Sequence, residues 1–294
     1  MMKMKKVDTS HMSAMELKEH RLSVVYKILP VISLCLLIGL WLVASDAGTG
    51  FPSPVDVWER TVRLFTKPIK KLTLIGHVLV SLRRIGLALL FDWTFGIALG
   101  IVLGWFPRAR AFIGPMFNAF RAVPPLAWIP LITLWFGIGE FPKVLIVIFG
   151  SLACIVVNVQ AGLSTVEKTF LDVATVFNAT PAQRLFNVAI PASLDAIFAG
   201  VRTSTSAAWM VVLAAEMLGA NAGVGFLISR GMDSIDMPLV LTGMLAIGIV
   251  GALLAIITQF AERLICPWTR KKRYSCNWKI SARAMSSAMM SRTR

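Results

Sequence analysis

"LDVATVFNATPAQRLFNVAIPASL", residues 171–194, lies between two of the most apolar stretches of the chain and is itself too polar to cross a bilayer. Leu171, Ala174 and Phe177 fall three apart and form one short helical face; Leu185, Val188 and Ala189 form another. Between the faces, "TPAQ" is a helix start. Thr180 caps it, Pro181 suits the first position because it has no amide proton to leave unpaired, and Gln183 completes a capping box. Asn178 permits the bend before it, since Asn tolerates a positive φ better than most residues, and Pro191 ends the second helix. The segment reads as two short amphipathic helices meeting at an angle. Residues 171–190 hold Arg184 and no Lys, whereas helices that rest on lipid carry a Lys- and Arg-rich polar face. A docking knob for a protein partner fits this composition better than an interfacial helix.

The rest of the chain sets the environment of that knob. With 56% hydrophobic and 15% charged residues and a mean hydropathy of +0.73, it is too apolar for a soluble domain and belongs in a lipid bilayer. Apolar runs of about 20 residues cover 24–44, 78–105, 112–136, 144–163, 196–218 and 239–265. They predict an all-α, polytopic protein with six transmembrane helices. The first run has a long polar lead-in and no small-residue cleavage site, so it reads as a retained anchor and not a signal peptide. Residues 1–23 and 267–294 are then cytoplasmic tails, the second strongly basic, flanking a membrane domain over 24–266 whose knob occupies about 164–193.

Charge orients the spans. With the N-terminus inside, cytoplasmic segments hold the Lys3, Lys5 and Lys6 cluster, Arg108, Arg110, Lys168, Arg184 and the run from Arg270 to Arg273. The bias places both termini and the knob in the cytoplasm, although Arg60, Arg63, Lys67, Lys70 and Lys71 in the first outer loop run against it. The net charge of +15 does not signal nucleic acid, because the basic residues gather at the ends and in short loops without an aromatic-studded groove. The four cysteines form no CxxC pair, and His11, His20 and His77 are too scattered for a metal site or a catalytic triad. An enzyme is therefore not expected. No GxxxxGK[ST] loop is present to cradle ATP, so energy for uphill transport must come from another polypeptide.

Inside the membrane the third run carries Pro124, Pro125 and Pro130, which either kink a structural helix or bend one that lines a cavity. Arg121 lies one turn earlier. A charge at membrane depth faces the bundle interior, with Asp92 as its candidate partner; a pair that holds the bundle together and an arginine that contacts an anion are both open. Glu216 falls near the outer end of the fifth run, where it pairs across an interface or is solvated. Gly219, Gly223 and Gly225 mark an outer turn, either a gate or an ordinary loop.

The knob also resembles the EAA loop of inner-membrane permease subunits of bacterial ATP-binding-cassette importers, in which E-A-A, three residues, G, nine residues and I-x-L-P recur. The matching positions are Asp172, Val173 and Ala174, then Asn178, then Val188, Ile190 and Pro191, with both spacings kept and Asp, Val and Asn replacing Glu, Ala and Gly. "FPSP" at 51–54, "SLRRI" at 81–85, "FRAVPPLAWIPLITLWFGIGEFPK" at 120–143, "IPASLDAIFAGVR" at 190–202 and "AAWMVVLAAEMLGANAGVGFLI" at 207–228 look like the nitrate, alkanesulfonate and taurine branch of that family. The resemblance implies a type I importer fold and a bacterial inner-membrane location. It implies a cytoplasmic ATPase that holds ATP and Mg²⁺, a periplasmic or lipid-anchored binding protein, and a permease homodimer. Asp172, Ala174, Asn178, Thr180, Leu185, Val188 and Pro191 become the ATPase-coupling residues. Arg121, Pro124, Pro125, Asp92 and Glu216 become candidates for the translocation path. A secondary transporter or channel is the alternative, since it too has broken helices and internal charges, but it has no need of a helix-turn-helix with this spacing.

Overall fold

The computed structural model describes residues 28–29, 32–33, 35–46 and 51–265. Both predicted tails, and most of residues 24–34 in the first predicted span, lie outside them. Among the described residues every named element is helical, and one isolated β-bridge joins Ile69 to Leu72.

The chain divides into two compact units, one ending at Val62 and one beginning at Arg63. The first holds helix α1, Cys35–Asp46, and the start of α2, Pro54–Thr66. Trp41 Nε1 donates to Pro52 O at 3.1 Å. The Ser53 hydroxyl and backbone N–H both donate to Asp56 Oδ2, at 2.8 and 2.9 Å, which starts α2 and holds the Asp56 carboxyl below its ordinary range.

The second unit is built on α3, Leu74–Trp105; α6, Glu140–Ser164; α9, Leu194–Met217; and α11, Met237–Ile265, each long and apolar enough to cross a membrane. Helix α4, Pro107–Ala122, and α5, Pro125–Phe136, meet the same test as a pair, but the two are bent by 86°. The third predicted span is therefore two helices and not a single kinked one. Pro124 forces Val123 into an extended conformation (φ −77°, ψ 121°), and two successive prolines supply no N–H to carry the helix onward. Two short helices, α7 (Lys168–Val176) and α8 (181–192), link α6 to α9, and α10, Val224–Asp233, links α9 to α11.

Helices α6 and α9 form the most extensive pair, and the second half of α3 packs on α6 through small residues. Gly96, Gly100 and Gly104 recur every four residues on α3 against Ile155, Val159 and Leu163 on α6. A Cβ would stand 2.5, 2.6 and 2.8 Å from those side chains respectively. Without a hydrophobic drive between helices in lipid, such close approach is what holds them together. At Gly100 the carbonyl of Val156 is also only 3.0 Å from the added carbon, so side-chain rotation does not relieve the clash. Gly100→Leu is expected to cost about 1–3 kcal/mol or more, seen as a lower unfolding midpoint of the purified protein in detergent; an unchanged midpoint would rule out this packing.

The two ends of the bundle differ. At one end Leu103, Phe117, Val159, Leu163, Leu185 and Ile197 form a core beneath α7 and α8. At the other, where α6 begins and α9 ends, Ile129, Ile132, Ile146 and Ala215 pack together.

Candidate functional site

The segment from α7 to α8 is fixed locally by its own residues. Helix α7 ends at Phe177, and Asn178 takes the left-handed conformation (φ 55°) that turns the chain. The Ala179 amide closes the end on Ala174 O at 3.0 Å. Thr180 Oγ1 then accepts from Gln183 N at 3.3 Å while Gln183 Oε1 accepts from Thr180 N at 2.8 Å, completing the box that the sequence predicts. Arg184 Nη1 reaches back to Thr175 Oγ1 at 3.1 Å and ties the two helices across the turn. Thr180→Ala is expected to cost about 1 kcal/mol of local stability, measured as faster hydrogen exchange of the amides of residues 182–184.

Pro191 does not end α8. The helix runs on to Ala192, because residues Arg184–Ala189 form a π turn in which Ile190 N bonds Leu185 O five residues back. The wider turn shifts the carbonyl that a proline ring would strike in a regular helix. The chain breaks instead at buried Ser193, whose N–H bonds to both Ala189 O and Ile190 O.

Burial separates two apolar faces that the sequence does not distinguish. Leu171 and Ala174 are half-buried. Leu185 is 7% exposed and Ala189 fully buried, both within the chain's own core. Leu185, predicted to meet a partner, is thus a core residue, and Val188 is half-buried. Phe177, predicted to share a face with Leu171 and Ala174, leaves the helix at its end and points outward. The exposed apolar set is Val173, Val176, Phe177 and Phe186, the middle two 80% exposed. Asp172, Asn178, Thr180 and Pro191 are exposed beside them.

The intramembrane candidates are not brought together. Asp92 is fully buried in the π stretch Asp92–Gly96 of α3 and accepts a short hydrogen bond from Ser151 Oγ on α6; its Oδ1 has no hydrogen-bond partner. Arg121 is exposed and donates from Nε to Asn118 Oδ1 at 2.9 Å on its own helix. The expected Asp92–Arg121 pair is absent, because Asp92 faces α6 while Arg121 sits on an open side of α4. Pro124 is exposed and Pro125, half-buried, starts α5.

Glu216 belongs to a network that joins four segments. Arg84 on α3 donates through Nη1 to Glu216 Oε1 at 2.7 Å and to Ala222 O at 2.8 Å. Through Nε and Nη2 it grips Glu140 Oε2 and Oε1, at 2.7 and 2.6 Å. Glu216 Oε2 also accepts from Ser81 Oγ at 2.8 Å and from Gly225 N at 3.0 Å. Lys143 Nζ lies 3.3 Å from Glu140 Oε1, so the cluster of Arg84, Lys143, Glu140 and Glu216 is electrically balanced. The glycine turn is clamped to this network: Gly223 N donates to His77 Nδ1 at 3.1 Å, and Val224 N to Ser81 Oγ at 3.0 Å. Gly223 (φ 122°) lies so close that a Cβ would sit 2.3 Å from the Glu216 carboxylate.

Comparison with known proteins places this architecture. The model of the family described as binding-protein-dependent transport system inner membrane component matches residues 96–271. The chain belongs to this family. It is 33% identical to a probable ABC transporter permease of Brucella abortus, over 83% of this chain and 96% of that one. It is 33% identical to the taurine transport system permease protein TauC of Escherichia coli, over 74% and 79%, and 30% identical to the nitrate import permease protein NrtB of Synechocystis, over 86% and 96%. Among solved structures, the MetNI methionine ABC transporter in inward-facing conformations has a chain that matches with a TM-score of 0.59 at 19% identity, over 65% of this chain and 95% of that one. That likeness supports the type I importer fold.

The residues of the permease that sequence reasoning missed are instructive. "SLRRI" stands in the sequence, but only the fold shows that Arg84 reaches two carboxylates 56 and 132 residues away. The outward set Val176, Phe177 and Phe186 was hidden because periodicity marks an apolar face without saying what covers it. Among the described residues no group of three His, Cys, Asp or Glu side chains is placed to hold a metal ion.

Proposed function

We propose that this permease forms the membrane path of an ATP-driven importer and that α7 and α8 seat a separate cassette ATPase on its cytoplasmic side. The exposed apolar face carries this reading. Val173, Val176, Phe177 and Phe186 stand in solvent on a charge-poor knob that a capping box and the Arg184–Thr175 bond hold rigid. Such a face is what a protein partner covers. Asn178 and Thr180 set its angle, Asp172, Ala174, Val188 and Pro191 shape its flanks, and Leu185 anchors it to the bundle. A rigid anchored knob passes the movement of an ATPase into α6 and α9, the helices it joins.

ATP and Mg²⁺ belong to the ATPase, since the permease sequence has no phosphate-binding loop. The Lys and Arg bias supports a bacterial inner-membrane orientation with both termini inside. A second permease copy and a periplasmic or lipid-anchored binding protein complete the assembly. The names of the taurine and nitrate relatives support a small anion such as nitrate, an alkanesulfonate or taurine as substrate. Inside-out and right-side-out vesicles carrying the permease, an ATPase and a binding protein test the scheme. Uptake is expected to require ATP. Uptake that persists without the ATPase and follows an ion gradient would make the chain a secondary transporter.

A further inference from the structure

The break between α4 and α5 lies level with the middle third of α6. The Phe120 ring meets the Phe149 ring edge-on, with centroids 5.2 Å apart. Phe149 is the tenth residue of the 25-residue span α6, with about 14 Å of helix on one side and about 22 Å on the other at the usual rise. Arg121 therefore emerges well within a hydrocarbon core about 30 Å thick. At that depth Arg121, Ala122, Val123 and Pro124 are all exposed on this chain. Helix α4 ends there, and neither Pro124 nor Pro125 offers an N–H to its last carbonyls. Irregular backbone at membrane depth persists only where protein covers it or water reaches it, and a guanidinium obeys the same rule.

Among the arginines of the membrane-spanning segments, Arg84 and Arg121 make a contrast. Arg84 is buried and spends its donors on Glu140, Glu216 and Ala222 O. Arg121 donates to the neutral Asn118 amide, and none of the ion pairs among the described residues includes it. Asp92, the acid that the sequence suggests for it, is sealed against Ser151. We propose that residues 121–124 line a water-filled path through the permease and that Arg121 is the cation there that meets a monovalent oxyanion. The Asn118 carbonyl holds Nε and leaves the Nη groups of a planar fork to face the path. That geometry matches two oxygens of a nitrate, sulfonate or carboxylate. The proposal rests on the importer reading and adds the residue by which it recognises charge.

The test uses the full chain in membranes, with its four native cysteines replaced by serine and Ala122→Cys as a reporter beside Arg121, which leaves the Asn118 contact in place. Water-soluble thiosulfonates are expected to label residue 122, the anionic reagent faster than the cationic one. Adding Arg121→Gln is expected to lower that ratio on the order of tenfold. Labelling by lipid-soluble reagents alone, or a ratio that ignores Arg121, would overturn the proposal. In the cysteine-containing complex, uptake of nitrate, ethanesulfonate and taurine is compared for wild type, Arg121→Gln and Arg121→Lys. A fall on the order of tenfold to a hundredfold for Gln, less for Lys, with ATPase co-purification retained, is expected; uptake by Arg121→Gln at the wild-type rate would again overturn it. If wild type imports none of the three while the labelling ratio still depends on Arg121, the anion-facing path stands and the small-anion substrate reading is what fails.

Discussion

Arg84→Gln is expected to destabilise the permease by about 3–5 kcal/mol, the largest effect of any single polar substitution in the bundle. The reason lies in the unequal burial of the two acids it grips. The Glu140 side chain is 63% exposed and can turn to water, whereas Glu216 is fully enclosed and would be left charged with only Ser81 and Gly225 as donors. Glu140→Gln is accordingly expected to cost less than Arg84→Gln, because a Gln there still accepts from Arg84 and Lys143 while Glu216 keeps its buried cation. The double variant Arg84→Gln with Glu216→Gln should recover much of the loss, because it removes the stranded charge as well as its partner. Unfolding midpoints of the wild type, of Arg84→Gln, Glu216→Gln and Glu140→Gln, and of the double variant, all in one detergent, decide the matter. If the double variant is as unstable as the sum of the singles, the two side chains do not act as a pair.

The second large effect separates the two faces of the knob. Phe177→Asp replaces an 80% exposed ring, so the protein is expected to insert and accumulate normally yet fail to co-purify with its ATPase and fail to support ATP-dependent uptake. Leu185→Asp is expected to do the opposite at the level of folding. Its carboxylate would enter the core formed with Leu103, Phe117 and Val159, at a cost of several kcal/mol, and the protein should not accumulate. Membrane-fraction yield and ATPase recovery are the two readouts. Normal yield of Leu185→Asp would place that side chain outside the core.

These expectations show where the sequence is informative. The capping box at Thr180 and Gln183 and the bend at Asn178 are local chemistry, set by residues within a few positions, and both stand in the structure as read. Four long apolar runs likewise become α3, α6, α9 and α11, since length and hydropathy alone decide them. What failed depended on distant neighbours. Whether Leu185 or Phe177 is left exposed is decided by how α8 lies on Leu103 and Phe117, and no period in the sequence encodes that choice. Pro191 as a helix end was outweighed by the π turn before it, and Arg121 with Asp92 by the side of each helix that meets α6. The glycine turn at 219–225, legible as a turn that is either a gate or an ordinary loop, is fastened by His77, Ser81 and Glu216, contacts that span more than a hundred residues at Gly223 and Val224.

The claim that α7 and α8 carry an ATPase is tested most directly by hydrogen exchange on the permease with and without that ATPase bound. The account predicts slowed exchange concentrated in peptides covering 173–178 and 181–186, around the exposed Val173, Val176, Phe177 and Phe186, with the membrane spans unchanged. Unaltered exchange across that segment in a complex shown to be intact, with protection appearing elsewhere, would contradict it.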